Sequence, residues 1–208
     1  LLAAGASALN QVWERRSDAL MTRTADRPLP AGRLSREGAL VFGLALGLLG
    51  ALILAVGANP LAAAVGVVSL LSYVLIYTPL KRRTSLSTVV GAVPGALPPV
   101  MGWVAVTGRL DAGAAVLFGI LFLWQLPHFL AIAWLCRREY AAAGFPMLPV
   151  TEPDGRSTGR QTVLYALALV PVSLLPVALG LSGGVYFWGA LALGVAFLAA
   201  SAAFALSF

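Results

Sequence analysis

A chain of 208 residues that is 60% hydrophobic and only 11% charged, with a mean hydropathy of +0.90, is not a water-soluble domain; it has the composition of a bundle of membrane helices. Its net charge of +6 is gathered in short stretches between apolar spans, which points to anionic lipid and an anionic substrate and away from nucleic acid. The single cysteine, Cys136, excludes an internal disulfide and is most simply a small apolar residue.

Taken in order, residues 1–12 read as the second half of a membrane helix. The chain begins Leu-Leu-Ala-Ala without a methionine and ends within an apolar run, so a fragment with terminal helices missing is expected. A polar loop is expected over 13–36, where Pro28 and Pro30 oppose helix. Apolar spans follow at 38–57 and 61–79, separated by the Asn59-Pro60 turn. The second ends in Tyr77-Thr78-Pro79-Leu80-Lys81-Arg82-Arg83. Span 86–106 is interrupted by Gly91, Pro94, Gly95, Pro98, Pro99 and Gly102; it is either kinked or broken to line a cavity. Span 112–136 carries Gln125, Pro127 and His128, a polar loop covers 137–160, and 162–180 and 184–208 are the last spans. Each full span has about the 20 residues needed to cross the hydrocarbon core. The pairs Gly43/Gly47 and Gly91/Gly95 have the spacing of close helix packing.

Charge decides the orientation. Loops 13–36, 80–85 and 137–160 hold six, three and four Lys or Arg, whereas the alternate loops hold Arg109 alone. The first set is therefore expected on the cytoplasmic side.

One stretch on that side has chemical content. Asn10, Glu14 and Asp18 recur at i, i+4 and i+8, so on a helix they line one face. Arg23 and Arg27 follow closely. Hard oxygens beside guanidinium groups suit a divalent cation such as Mg²⁺ carrying a diphosphate; the plainer alternative is a helix end solvated by charge. Lys81, with Tyr77 below and Arg82 after it, stands at the same face and can act on the same anion as a point charge. Arg83 is read as an ordinary positive-inside charge.

These residues resemble a known family. Asn-x-x-x-acid-x-x-x-Asp, followed by Arg-Thr-x-x-Arg-Pro-Leu-Pro at 23–30, is similar to the first motif of UbiA-type intramembrane prenyltransferases, and Tyr-x-x-x-Lys-Arg-x-Thr at 77–84 is similar to the second loop of that family. Glu14 stands where many members have aspartate. The resemblance implies an all-α polytopic membrane protein, usually of nine helices around a cavity. It also implies transfer of a prenyl group from a diphosphate, with Asn10, Glu14 and Asp18 holding Mg²⁺ and with Arg23, Arg27, Tyr77, Lys81 and Arg82 on the diphosphate. The second aspartate-rich motif of most members is missing here. In its place stand Trp124-Gln125-Leu126-Pro127-His128-Phe129, Arg137-Arg138-Glu139-Tyr140 and Gly144-Phe145-Pro146, together with Pro98-Pro99-Val100-Met101-Gly102-Trp103. This pattern is similar to the branch of the family that farnesylates protoheme IX.

That branch implies farnesyl diphosphate and heme B as substrates, a bacterial inner membrane, and an acceptor side drawn from Gln125, His128, Arg137, Arg138 and Glu139. His128, the sole histidine, is either a heme contact or a packed structural residue. Glu139 either orients propionate partners, binds a second Mg²⁺, or forms a loop ion pair. Two rival readings are a sister enzyme acting on a quinone precursor or chlorophyllide, and a transporter. The transporter lacks support from any internal repeat.

Overall fold

The computed structural model describes residues 1–207, and every regular element among them is helical. Seven long helices carry the fold: α1 (Leu2–Asp18), α2 (Arg36–Gly57), α3 (Pro60–Leu80), α4 (Ser87–Thr107), α5 (Ala112–Leu135), α6 (Arg156–Ala178) and α7 (Gly184–Ala205). Short helical turns at Thr22–Ala25, Arg137–Ala142 and Leu148–Thr151 sit in the connections. The six helices α2–α7 are long and apolar enough to cross a membrane. Each packs against its neighbours in sequence, and α1 closes against both α2 and α3. Short connections between antiparallel neighbours produce this order.

The helices meet through small residues, as expected where lipid removes the hydrophobic drive for association. A Cβ on Gly5 of α1 would come within 2.8 Å of the Gly43 carbonyl oxygen and 2.9 Å of the Gly47 nitrogen of α2. Large apolar side chains point the other way: Val41, Leu48, Leu52 and Val56 of α2 are all exposed, on the surface that lipid would cover. At the end of the bundle away from the charges, Asn59 serves two helices. Its Oδ1 accepts from the Ala62 N–H at the start of α3, and its Nδ2 donates to the Val104 carbonyl near the end of α4.

Two expectations need correction. Helix α1 does not stop at residue 12 but continues to Asp18, and α6 begins at Arg156 rather than 162. The polar end of α1 extends past the apolar window because its buried carboxylates find cationic partners on other segments. Span 86–106 lines a cavity, one of its two expected readings, and does so without a break: α4 runs on through Pro94, Pro98 and Pro99. Pro98 has no N–H for the Pro94 carbonyl four residues back. That carbonyl instead accepts from Ser69 Oγ of α3 at 3.0 Å. A neighbouring hydroxyl thus satisfies the freed backbone group inside the bundle.

Candidate active site

The last turns of α1 carry Asn10, Glu14 and Asp18, which are only 6%, 6% and 1% exposed. They face inward, whereas Arg15 and Arg16 between them are exposed. Carboxylates at a helix C-terminus oppose the helix dipole, so their burial there demands cationic partners. Lys81 supplies one: its Nζ lies 2.9 Å from Glu14 Oε1 and 3.1 Å from Oε2. Arg27 supplies the other, with Nη1 at 3.0 Å from Asp18 Oδ2. Asn10 Nδ2 donates to Glu14 Oε2 at 2.9 Å, completing the row.

Lys81 is positioned by an irregularity in α3. Pro79 cannot donate to the ladder and its ring crowds the carbonyl four residues earlier. The helix widens into a π turn over Ser72–Tyr77 before resuming at Thr78–Leu80. The buried Thr78 hydroxyl lies 2.8 Å from both the Tyr73 carbonyl and Asn10 Oδ1, sharing one proton between them. It ties the widened turn of α3 to the acidic row of α1. Lys81 Nζ also stands 4.4 Å from the centroid of the Tyr77 ring. Arg82 reaches back to α1, where its guanidinium donates to Ser17 Oγ.

The two loops after α1 and α5 meet over this cluster. Arg23 Nη2 donates to the Tyr140 hydroxyl at 2.9 Å, and the Arg23 backbone N–H points to Glu139 Oε2 at 3.4 Å. An apolar knot of Met21, Ala133, Phe145 and Met147, with Tyr140 packed against it, holds the loops together. Burial pushes the Tyr140 phenol above its ordinary range, against the pull of Arg23 and, more weakly, Lys81. Arg23, Tyr140 and Lys81 therefore belong to one electrostatic neighbourhood.

Beneath it lies a cavity of about 410 Å³ between α1, α3, α4 and α5. Tyr77 and Tyr73 line its charged end; Gln125 and Phe129 of α5 line one wall. Gly91 and Gly95 are more than a packing pair, because a Cβ on Gly91 would collide with the Tyr77 ring and one on Gly95 with the Gln125 amide. Each glycine makes room for one polar side chain of the cavity. Gln125 Nε2 donates to the Ala92 carbonyl at 2.8 Å, which fixes its amide.

The remaining residues of the expected acceptor side are dispersed. His128 is exposed and stacks on Trp124, with centroids 5.5 Å apart and planes inclined by 14°. It is absent from the lining of the cavity that Gln125 and Phe129 share. Arg137 lies over the Trp134 ring and donates to the Trp134 carbonyl; Arg138 is exposed; Glu139 faces Arg23.

The donor set suits Mg²⁺ held together with a diphosphate. Among the described residues no three His, Cys, Asp or Glu side chains converge as an all-protein cage. Mg²⁺ with substrate phosphates needs only one or two carboxylates. Glu14 and Asp18 supply them, and Glu14 Oε1, outside the bonds that Oε2 accepts, has the Lys81 ammonium 2.9 Å away as its partner, a place a metal cation can take.

The UbiA prenyltransferase family model matches residues 1–207. The chain belongs to that family. It is 56% identical over 198 residues to a protoheme IX farnesyltransferase of Solibacter usitatus, covering 95% of this chain and 68% of that relative. It is 53% identical over 193 residues to a protoheme IX farnesyltransferase of Myxococcus xanthus, covering 93% and 65%. The chain thus spans about two thirds of the length of these relatives. A solved structure concerned with digeranylgeranylglyceryl phosphate synthase superposes with a TM-score of 0.77 at 20% identity, over 97% of this chain and 70% of that one. A UbiA homologue from Aeropyrum pernix gives 0.72 at 21% identity, over 99% and 77%. The UbiA fold of an all-helical, multi-pass membrane protein follows.

Sequence reasoning passed over four residues of the cluster. Thr78 and Ser17 are small polar residues that a helix hides as readily as it exposes. Tyr73 lies four residues before Tyr77, so the i, i+4 spacing carried its signal. Tyr140 meets Arg23 across 117 residues, and no local pattern reports that contact.

Proposed function

We propose that this chain transfers the farnesyl group of farnesyl diphosphate to a vinyl group of heme B, giving heme O for terminal oxidase assembly. The observation that carries the reading is the buried Glu14–Lys81 contact, seated directly over Tyr77 at the mouth of an apolar cavity. The printed name of the relatives at 53% and 56% identity supports the same donor and acceptor.

The chemical demand is ionisation of an allylic carbon–oxygen bond, whose electron pair leaves with the diphosphate. Asn10, Glu14 and Asp18 would hold Mg²⁺, which as a Lewis acid neutralises the charge of the leaving group. Lys81, Arg23, Arg27 and Arg82 would bind the diphosphate and favour the more negative transition state. Glu14 and Lys81 are matched in charge. They can exchange their mutual contact for a cation on one side and a phosphate on the other without leaving a bare buried charge. The faces of Tyr73 and Tyr77 and the apolar walls keep water from the allyl cation. The vinyl π pair of heme B forms the new carbon–carbon bond; water then adds to the cation beside the porphyrin and releases a proton, leaving a hydroxyethylfarnesyl side chain.

The acceptor side is assigned to Gln125, His128, Arg137, Arg138 and Glu139. The exposed His128 imidazole supports a heme contact there, since imidazole ligates heme iron. His128→Ala then shifts the heme absorption spectrum; an unshifted spectrum leaves His128 a structural residue. The site is placed on the cytoplasmic side of a bacterial inner membrane, as the distribution of Lys and Arg supports.

Incubation of the purified protein with radiolabelled farnesyl diphosphate, Mg²⁺ and heme B tests the assignment. A labelled farnesyl heme is expected. Label on a quinone precursor, with heme untouched, would instead favour the sister enzyme.

A further inference from the structure

The cavity has a floor. Following α3 away from Lys81, its lining passes Tyr77, Tyr73, Leu70 and Ser69 and ends at Gly66, where Met101 of α4 and Leu2 of α1 close in. Eleven residues of helix separate Tyr77 from Gly66, a depth of about 16 Å. The closure is tight: a Cβ on Gly66 would lie 3.0 Å from Met101 Sδ and closer still to Leu2 Cδ1. Below it the bundle is solid, because Ala62, Val65, Val100, Val104 and Ala114 form a buried core against which Met101 packs. A chain entering from the charged end therefore meets packed side chains at this level.

We infer that Gly66 and Met101 set the length of prenyl chain that this site accepts. The inference rests on the proposed prenyl transfer and adds to it the residues that select the donor. An extended chain of three isoprene units spans a length comparable to the depth between Tyr77 and Gly66, so a fourth unit collides with the floor. Met101 is the adjustable part, being an unbranched and flexible side chain. Gly66 is the fixed part: the absence of a side chain on α3 leaves room for Leu2 and Met101, which a Cβ there would push toward the cavity.

The test measures binding of unreactive geranyl, farnesyl and geranylgeranyl thiolodiphosphates to the protein in nanodiscs, then kcat/KM for the three diphosphates with heme B. Met101→Ala deepens the cavity and raises the geranylgeranyl-to-farnesyl ratio roughly tenfold, the scale on which an apolar pocket discriminates chain length. Gly66→Ala shortens it and shifts preference toward geranyl by a similar factor. The two substitutions act in opposite directions, so a general loss of folding cannot mimic the pattern. Analogue affinities in unchanged ratio for both variants overturn the floor. Normal analogue selectivity with no farnesylation of heme overturns the proposed reaction and leaves the floor standing.

Discussion

Lys81 Nζ and Glu14 Oε1 stand 2.9 Å apart, with both side chains largely buried, on helices whose residues are 67 positions apart in sequence. Removing one partner leaves an uncompensated charge away from water. Lys81→Met is expected to destabilise the protein by about 3 kcal/mol, whereas Glu14→Gln combined with Lys81→Met regains most of that loss. Neither variant regains activity, because the double substitution restores packing and not the charges that hold the diphosphate. Thermal unfolding in detergent and farnesyl transfer, measured on the two single variants and the double, separate the structural part from the chemical part.

Asp18 and Arg27 pair at the same end, yet the two are unlike: Asp18 is sealed, and the Arg27 side chain is 38% exposed. Asp18→Asn keeps the shape and removes the charge that would face the metal. It should raise the Mg²⁺ concentration for half-maximal activity and lower kcat by about 100-fold. Arg27→Ala, by contrast, is expected to raise KM for farnesyl diphosphate with the Mg²⁺ requirement nearly unchanged. Equal Mg²⁺ dependence in the two variants would remove Asp18 from the metal.

The acidic row was legible because helical periodicity is a local rule: residues four apart share a face whatever surrounds them. Lys81 was legible because charge asymmetry between loops placed it at the same end. What stayed hidden depends on three-dimensional pairing. Asn10 was visible as an oxygen donor, but its bond to Thr78 depends on a π turn that only the packed helix reveals. His128 was visible as a lone ionisable residue in an apolar span. A helix apolar on all sides has no amphipathic stripe to say which face it takes, and it faces outward on Trp124 while Gln125 faces the cavity. The prolines of α4 suggested a break; the compensating Ser69 lies on another helix.

Thr78 offers a stability test with little electrostatic content. Its hydroxyl joins the π turn to Asn10, so Thr78→Val removes that link at nearly constant volume. The expected loss is about 1–3 kcal/mol, since the Asn10 oxygen is left buried and unpaired. Thr78→Ser keeps the hydroxyl and is expected to stay within about 1 kcal/mol of the parent protein. A Thr78→Val variant as stable as the parent would mean that water, not the hydroxyl, satisfies Asn10.

Arg23 and Tyr140 close the two loops over the site, and their bond can be broken without touching the acidic row. Tyr140→Phe removes the hydroxyl and keeps the ring that Arg23 lies over at 5.0 Å. With the guanidinium less firmly held, KM for farnesyl diphosphate should rise several-fold while stability changes by about 1 kcal/mol or less. The product ratio is the more telling readout. A looser cover admits water to the allyl cation, so the yield of farnesol relative to farnesyl heme should increase. An unchanged ratio, with KM raised, would confine Tyr140 to holding Arg23 on the diphosphate.

Gly91 ties helix packing to the chemistry most directly. The Tyr77 ring occupies the space where a side chain on residue 91 would stand, and the same ring supports Lys81 at 4.4 Å. Gly91→Ala forces that ring to move against α3, a cost of about 1–3 kcal/mol for a crowded interior. The displaced ring also shifts the ammonium, so kcat should fall more than overall folding does. Tyr77→Leu in the Gly91→Ala background relieves the collision: the unfolding temperature recovers, and kcat does not, because the aromatic face below Lys81 is gone. Recovery of both together would show that the ring fills space at the cavity mouth and takes no part in the transfer.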